Sequence, residues 1–400
     1  MNILIEKLSK DMESSHLDDY WEGFKSVAYA LFDENNVYLF NHPKMSKEPH
    51  KNYQVLKRDD QFVGCTLILY KDYPTAIVDL KYYQEAADLY SILIHELFHG
   101  FQYIKDEKRF PDDVKGVTYP LSKENIQLRS KERLSLYYAV FEKDWVKKKQ
   151  YLATFVSFRE KRKTIIGEYF KYETLIETIE GPAWYVELKA FIEKSQQEDD
   201  LIFKKYGQQL IDHFHSTSNI RKSCYSSGLF MCLLLDEFKP KWKEYFWDEE
   251  KTIYDLVKQL PTSSELINEL ELDTQTEELI EEVLTARKNI IEEYTQQSGI
   301  HLFIEGEITL KSFDPMNIIH CGDKMLHRNF LKIEINKQDY LIEQSTMAYC
   351  KDGLRNISKL HLILKERPIE NNGSLTIEGI GVLKGKYKKR GKDLTLICSD

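Results

Sequence analysis

The stretch Ser91-Ile-Leu-Ile-His-Glu-Leu-Phe-His-Gly-Phe-Gln102 decides how the rest of the chain is read. Ile92, Leu93, Ile94, Leu97, Phe98 and Phe101 make it strongly apolar, and neither Pro nor Gly interrupts it before Gly100, which predicts one buried helix. On a helix His95 and His99 stand one turn apart on the same face, so their imidazoles converge on one point, as a zinc ion requires. Glu96, about 100° further round, stays off the metal yet within reach of a water bound to it, the place of a general base. A single histidine on an apolar helix is commonly a satisfied core residue. Two at one turn, with a carboxylate between them, would each need a partner in the core, and together they predict a metal site.

Bulk properties exclude several other classes. With 400 residues, 42% hydrophobic and 30% charged, the chain reads as a soluble globular protein large enough for two or three domains. A net charge of −9 argues against nucleic acid as a partner, and the short basic runs Lys147 to Lys149 and Lys386 to Arg390 read as solvated faces. The first residues mix charges into every turn, so no secretory signal is expected, and the longest apolar run, Gly228 to Leu235, is too short to cross a bilayer. Cys65, Cys224, Cys232, Cys321, Cys350 and Cys398 are scattered without a C-x-x-C, which reads as reduced thiols in a cytoplasmic protein.

Outward from the helix, Val37 to Phe40, Phe62 to Tyr70 and Thr75 to Leu80 are β-type runs, with Lys71-Asp-Tyr-Pro74 as a hairpin turn. They predict a small sheet whose edge offers main-chain hydrogen bonds to an extended peptide. Downstream, hardly a breaker falls between Ser122 and Gly181, which predicts two or three long helices. Further helices are expected from about Glu168 to Glu193 and through Tyr225 to Phe238, the latter stopped by Lys239-Pro240. Acidic helical sequence continues to about Gln297, with a break and a new helix start at Pro261-Thr-Ser-Ser264. Beyond Ser298-Gly299, His301 to Ile304, Phe330 to Ile335, Leu360 to Leu364 and Leu394 to Ile397 read as strands. The expected fold is α+β: residues 1–298 with strands at about 37–80 and helices at about 82–298, then a β-rich domain over 299–400.

A catalytic zinc needs a third protein ligand and an open position. By spacing alone Glu107, Glu124, Glu132, Glu173, Glu177 and Glu180 are all candidates. Glu180-Gly-Pro-Ala-Trp-Tyr-Val-Glu187, however, resembles the E-G-x-A-x-Y-V-E stretch of the gluzincin metallopeptidases, in particular the aminopeptidase N-like family. The resemblance implies Glu180 as third zinc ligand. Small Gly181 and Ala183 would then let this helix approach the H-E-x-x-H helix. Tyr225-Ser-Ser-Gly228 is similar to the Y-x-x-G element of the same family, which implies that the Tyr225 hydroxyl donates to the oxyanion of a tetrahedral intermediate. A phenol suits that task, being neutral, a donor and rigidly placed.

The likeness covers three short elements between residues 91 and 236. The gap of 81 residues from His99 to Glu180 is longer than the family's, and the G-x-M-E-N motif that holds a free amine is missing. Both departures imply a distant relative without aminopeptidase specificity. The expectation is therefore a zinc metallopeptidase with one Zn²⁺ held by His95, His99 and Glu180, Glu96 and Tyr225 as catalytic residues, and a peptide or protein substrate; neither nucleic acid nor membrane is expected as a partner. Two alternatives stay open. One is a catalytically silent zinc protein that holds a peptide, the other a structural zinc with an interaction role for the C-terminal domain.

Overall fold

The computed structural model describes residues 2–44, 52–248, 250–264, 275–351, 353–391 and 393–398. An N-terminal sheet, a helical middle and a β-rich C-terminal region follow one another, and the chain divides into two compact units, 1–112 with 120–275 and 113–119 with 276–400.

The first unit begins with α1 (Asn2–Ser14) and five strands: β1 (Ala28–Phe32), β2 (Asn36–Phe40), β3 (Tyr53–Lys57), β4 (Thr66–Tyr70) and β5 (Tyr73–Asp79). They pair in the order β3-β2-β1-β5-β4, parallel only between β1 and β5. Strand β1 escapes sequence patterning because it is buried along its whole length and shows no alternation. Phe62 to Cys65 precede β4 instead of belonging to it. The β4–β5 hairpin turns on Lys71 and Asp72, both at positive φ (46° and 63°), with Tyr70 opposite Tyr73. Pro74 lies not in the turn but in β5, opposite Leu69. Pairing with β1 begins only at Thr75, so its missing N–H removes no bond on that side.

The helices are α2 (Ala86–Ile104), α4 (Lys123–Phe141), α5 (Trp145–Ile166), α6 (Glu168–Lys194), α7 (Asp199–Ile211), α8 (His213–Ser218), α9 (Ile220–Phe238), α10 (Trp242–Tyr245) and α11 (Ile253–Val257), while α3 (Val114–Val117) belongs to the second unit. Helix α2 packs on β5 and α6, burying Leu93, Ile94, Leu97 and Phe98 completely. Gly100 instead makes room for Val27, just before β1: a Cβ there would lie 2.4 Å from Val27 Cγ2. The helix start expected after Ser264 falls outside the described residues.

Gly181 does not serve the approach of α6 to α2. A Cβ on it would stand 2.7 Å from the Gly228 backbone, and one on Gly228 would stand 2.7 Å from Gly181 Cα and 2.8 Å from the Glu177 carbonyl oxygen. The glycine pair is the crossing of α6 with α9. Successive helical residues point about 100° apart, so the residue after Glu180 necessarily turns away from the face that Glu180 presents.

Helices α4, α5 and α6 also share a buried ionic network. Arg162 bonds Glu132 (2.8 and 3.1 Å) and both oxygens of Glu173 (2.8 and 2.5 Å), while Arg159 bonds Glu132 at 2.9 Å and also Glu177. All five are at most 2% exposed. Burial would raise the Glu173 carboxyl, but Arg162 and Arg129 hold it far below the usual carboxylate range.

The second unit contains α12 (Thr276–Gln296) and β6 (Ile300–Phe313), β7 (Ile318–Cys321), β8 (Lys324–His327), β9 (Leu331–Ile335), β10 (Gln338–Ile342), β11 (Thr346–Cys350), β12 (Asn356–Leu364), β13 (Ile369–Asn371), β14 (Ser374–Ile377), β15 (Gly381–Lys384), β16 (Lys386–Arg390) and β17 (Asp393–Ile397). Nine strands form one sheet in the order β10-β9-β6-β12-β11-β8-β7, with β17 on β6 and β16 on β17. Strands β13-β14-β15 form a second sheet. The division falls at 275/276, where the change in composition places it at 298/299. Helix α12 groups with the sheet because Ile291 and Tyr294 pack on Leu326 and Met347, and the Tyr294 hydroxyl donates to the carbonyls of Ser345 (3.0 Å) and His361 (2.8 Å).

His327 on β8 is 1% exposed with neither ring nitrogen hydrogen-bonded. Burial lowers its pKa from 6.5 to about 4, with Asp314 opposing only in part. Between those values the unfolded chain takes up a proton that the folded chain refuses. The stabilisation is complete above pH 6.5 and falls by about 3 kcal/mol as the pH drops to 4. His327→Leu should remove this dependence, so the stability difference between variant and wild type, from urea unfolding at pH 7 and pH 4, is expected to change by that amount. A difference independent of pH contradicts the assignment.

Candidate metal centre

Helix α2 brings His95 and His99 to one face, and α6 lays Glu180 against it. His95 Nε2 and His99 Nε2 are 3.1 Å apart, and Glu180 Oε2 lies 3.5 and 3.3 Å from them. Donors about 2.0–2.2 Å from a zinc at tetrahedral angles stand about 3.3–3.6 Å from one another, so this triangle has the size the ion needs. The three residues form a group that could hold a metal ion, and among the described residues no fourth His, Cys, Asp or Glu joins them. Glu180 Oε2 is buried without a hydrogen-bond donor. A cation at the centre of the triangle satisfies that oxygen and both nitrogens together.

The outer atoms of each ligand are fixed. His95 Nδ1 donates to Glu187 Oε2 at 2.8 Å, and His99 Nδ1 to Gln102 Oε1 at 2.7 Å. The Gln102 amide is oriented by its other end, where Nε2 donates to the Ile179 carbonyl at 2.7 Å. Both protons of the neutral rings therefore sit on Nδ1, and both Nε2 lone pairs face the triangle. Pro182 lies inside α6 and lacks the N–H that would bond the Thr178 carbonyl, next to the Ile179 carbonyl that receives Gln102. Arg221 Nη2 donates to Glu180 Oε1 at 2.9 Å, which leaves Oε2 for the metal.

Burial opposes a charge on the His95 ring, but Glu180 and Glu187 more than offset it and hold its pKa well above 6.5. His99 is raised in the same sense by Glu180. Burial likewise works against ionised Glu180, yet His99, His95 and Arg221 hold it well below the carboxylate range.

Glu96 is 5% exposed, its Oε2 has no partner, and burial pushes its pKa up. Tyr225 on α9 lies nearly parallel to the His95 ring (centroids 6.3 Å, 17°) and edge-on to Trp184. Its hydroxyl engages Glu180 and Arg221, and burial and the Glu180 charge keep the phenol well above its ordinary pKa. All five residues singled out from the sequence thus gather at one place.

The rival carboxylates are committed elsewhere. Glu132, Glu173 and Glu177 face the arginines of the buried network, Glu107 is paired with Arg109 at 2.5 Å, and Glu124 is exposed. Three side chains that hydrogen-bond the cluster are not singled out by the sequence: Glu187, Gln102 and Arg221. Spacing carries a signal for each. Glu187 is two turns beyond Glu180, Gln102 three residues beyond His99, and Arg221 one turn before Tyr225. No family model, curated protein or solved structure matches the chain.

Proposed function

We propose that the protein is a zinc-dependent hydrolase, a metallopeptidase of gluzincin type distantly related to the aminopeptidase N-like enzymes. The observation that carries this reading is the triangle of His95 Nε2, His99 Nε2 and Glu180 Oε2, with no fourth His, Cys, Asp or Glu donor among the described residues, beside a buried carboxylate with an unpartnered oxygen, Glu96. A structural zinc is usually closed by four protein ligands and has no use for a base beside it. Zinc bound here would supply Lewis acidity, lowering the pKa of water and polarising a carbonyl. Glu96 would take the proton of the attacking water and pass it to the leaving amine, its raised pKa suiting it to both directions. Tyr225 would donate its hydroxyl proton to the developing oxyanion, a neutral donor at any working pH.

A peptide as substrate is supported by β4, an edge strand of the N-terminal sheet. Cys65, the residue before it, lies within electrostatic reach of Glu96, so an extended chain bonded along β4 would run toward the base. Turnover of a mixed peptide library with and without a zinc chelator tests the reading. Cleavage that chelation abolishes and zinc restores is expected, whereas a chain that loads zinc and cleaves nothing would return it to a peptide-holding role.

Metal content gives a separate check. One zinc per chain is expected for wild type and most of it should be lost in His95→Ala, because two remaining donors bind far more weakly. Full occupancy in that variant would remove His95 from the site.

A further inference from the structure

Both imidazoles of the cluster are tied to α6, but by different means. His95 Nδ1 donates straight to a carboxylate of that helix, Glu187, at 2.8 Å. His99 Nδ1 donates instead to Gln102, three residues further along α2, and the same amide donates through Nε2 to the Ile179 carbonyl of α6. Ile179 is the residue before Glu180. One planar group therefore joins the ring of the second candidate ligand to the backbone beside the third, with 2.7 Å bonds at both ends.

Gln102 is 1% exposed, so water cannot stand in for either bond. A carbonyl only accepts, which fixes Nε2 on Ile179 and leaves Oε1 for His99. Length and charge both suit glutamine to this place. Asparagine, one carbon shorter, would reach one partner and not both. Glutamate would turn an acceptor toward the Ile179 carbonyl, and it would add a carboxylate where Glu96, Glu180 and Glu187 already face Arg221 and the charge of one divalent ion. A buried glutamine with both ends bonded is ordinarily a packing device. This one differs in where its bonds end, on a ligand ring and next to the backbone of another ligand.

We propose that Gln102 is a positioning residue for the metal, a role that rests on the zinc reading above: by joining His99 to the turn that carries Glu180, it sets the distance and orientation of the three donors. The helix α2 fixes His95 and His99 relative to each other, but Glu180 arrives from a different helix on a side chain with three rotatable bonds. Holding the α6 backbone to the His99 ring removes that freedom before the ion arrives.

Zinc dissociation constants of wild type, Gln102→Met and Ser135→Ala, from competition with a chromophoric chelator, test the role. Methionine has nearly the same length without either hydrogen-bonding group. Gln102→Met should bind zinc about 10- to 100-fold more weakly. Ser135→Ala should bind as wild type does, since Ser135 is a fully buried polar residue of α4 that bonds the Lys131 carbonyl of its own helix. A glutamine that only packs would lower the unfolding midpoint of the metal-free chain and leave the zinc constant of the folded protein alone. Should Gln102→Met fail to fold, zinc-loaded wild type with isotope-labelled histidine decides instead: the His99 Nδ1 proton is expected in slow exchange with water and with a nuclear Overhauser contact to the Gln102 side chain. Wild type that takes up no zinc would remove the metal centre and this role with it. Equal zinc constants for wild type and Gln102→Met, or a His99 Nδ1 proton that exchanges freely with water, would overturn the role of Gln102 alone.

Discussion

Glu96→Gln is expected to lower peptide turnover by a factor of about 10² to 10⁴, with zinc content and unfolding midpoint close to those of wild type. The amide is isosteric but cannot accept the proton of the attacking water. Glu96 is not one of the three residues that could hold a metal ion, so the loss should fall on rate and not on metal. Tyr225→Phe provides the companion result. It removes a hydroxyl donor while keeping the ring that lies along His95 and Trp184, for an expected loss of about 10² to 10³. Steady-state cleavage measured beside zinc content for all three proteins checks both. If Glu96→Gln cleaves as fast as wild type, the hydrolase reading fails.

The second large effect concerns stability. Arg162→Ala is expected to cost about 3–5 kcal/mol, because it takes the main counter-charge from buried Glu173 and two bonds from buried Glu132, which keeps Arg159. Arg129 Nε, at 3.5 Å from Glu173, is too distant to replace two bonds of 2.8 and 2.5 Å. Adding Glu173→Gln to Arg162→Ala should recover part of the loss by removing one stranded charge. Denaturant unfolding of the single and double variants measures this. A single-variant loss below about 1 kcal/mol, typical of an exposed charge, would contradict the buried network.

The two effects differ in how far the sequence announces them. His95, Glu96 and His99 are legible because their geometry is local: one helix fixes all three. Glu180 needed a resemblance, since spacing alone leaves six carboxylates equivalent. What eliminates Glu132, Glu173 and Glu177 is Arg159 and Arg162 of α5, while Glu107 is paired with Arg109 and Glu124 is exposed. Arg129, Glu132, Arg133, Arg159 and Arg162 recur at helical spacing and look like solvated faces, yet all are at most 3% exposed. A pattern of charge within one helix cannot reveal that opposite charges on two neighbours cancel it. Gly181 illustrates the same limit. Its smallness signals a close approach, but only the packed helices identify the partner as Gly228.

Among strands, β4 and β5 were legible from flanking turn chemistry, whereas β1 is buried on both faces and has no period to read. Where the chain leaves regular spacing, turn signals still misplace single residues. Pro74 reads as a turn former but is a strand residue, because Lys71 and Asp72 adopt the left-handed conformation that a two-residue hairpin requires. No helix among the described residues is long and apolar enough to cross a membrane, as the short apolar run at Gly228 to Leu235 suggested.

A crystal grown with zinc and recorded on either side of the zinc absorption edge tests the central claim most directly. One anomalous peak is expected about 2.0–2.2 Å from His95 Nε2, His99 Nε2 and Glu180 Oε2, with no fourth protein ligand. A peak elsewhere, no peak at full zinc loading, or a fourth protein ligand closing the site would contradict it.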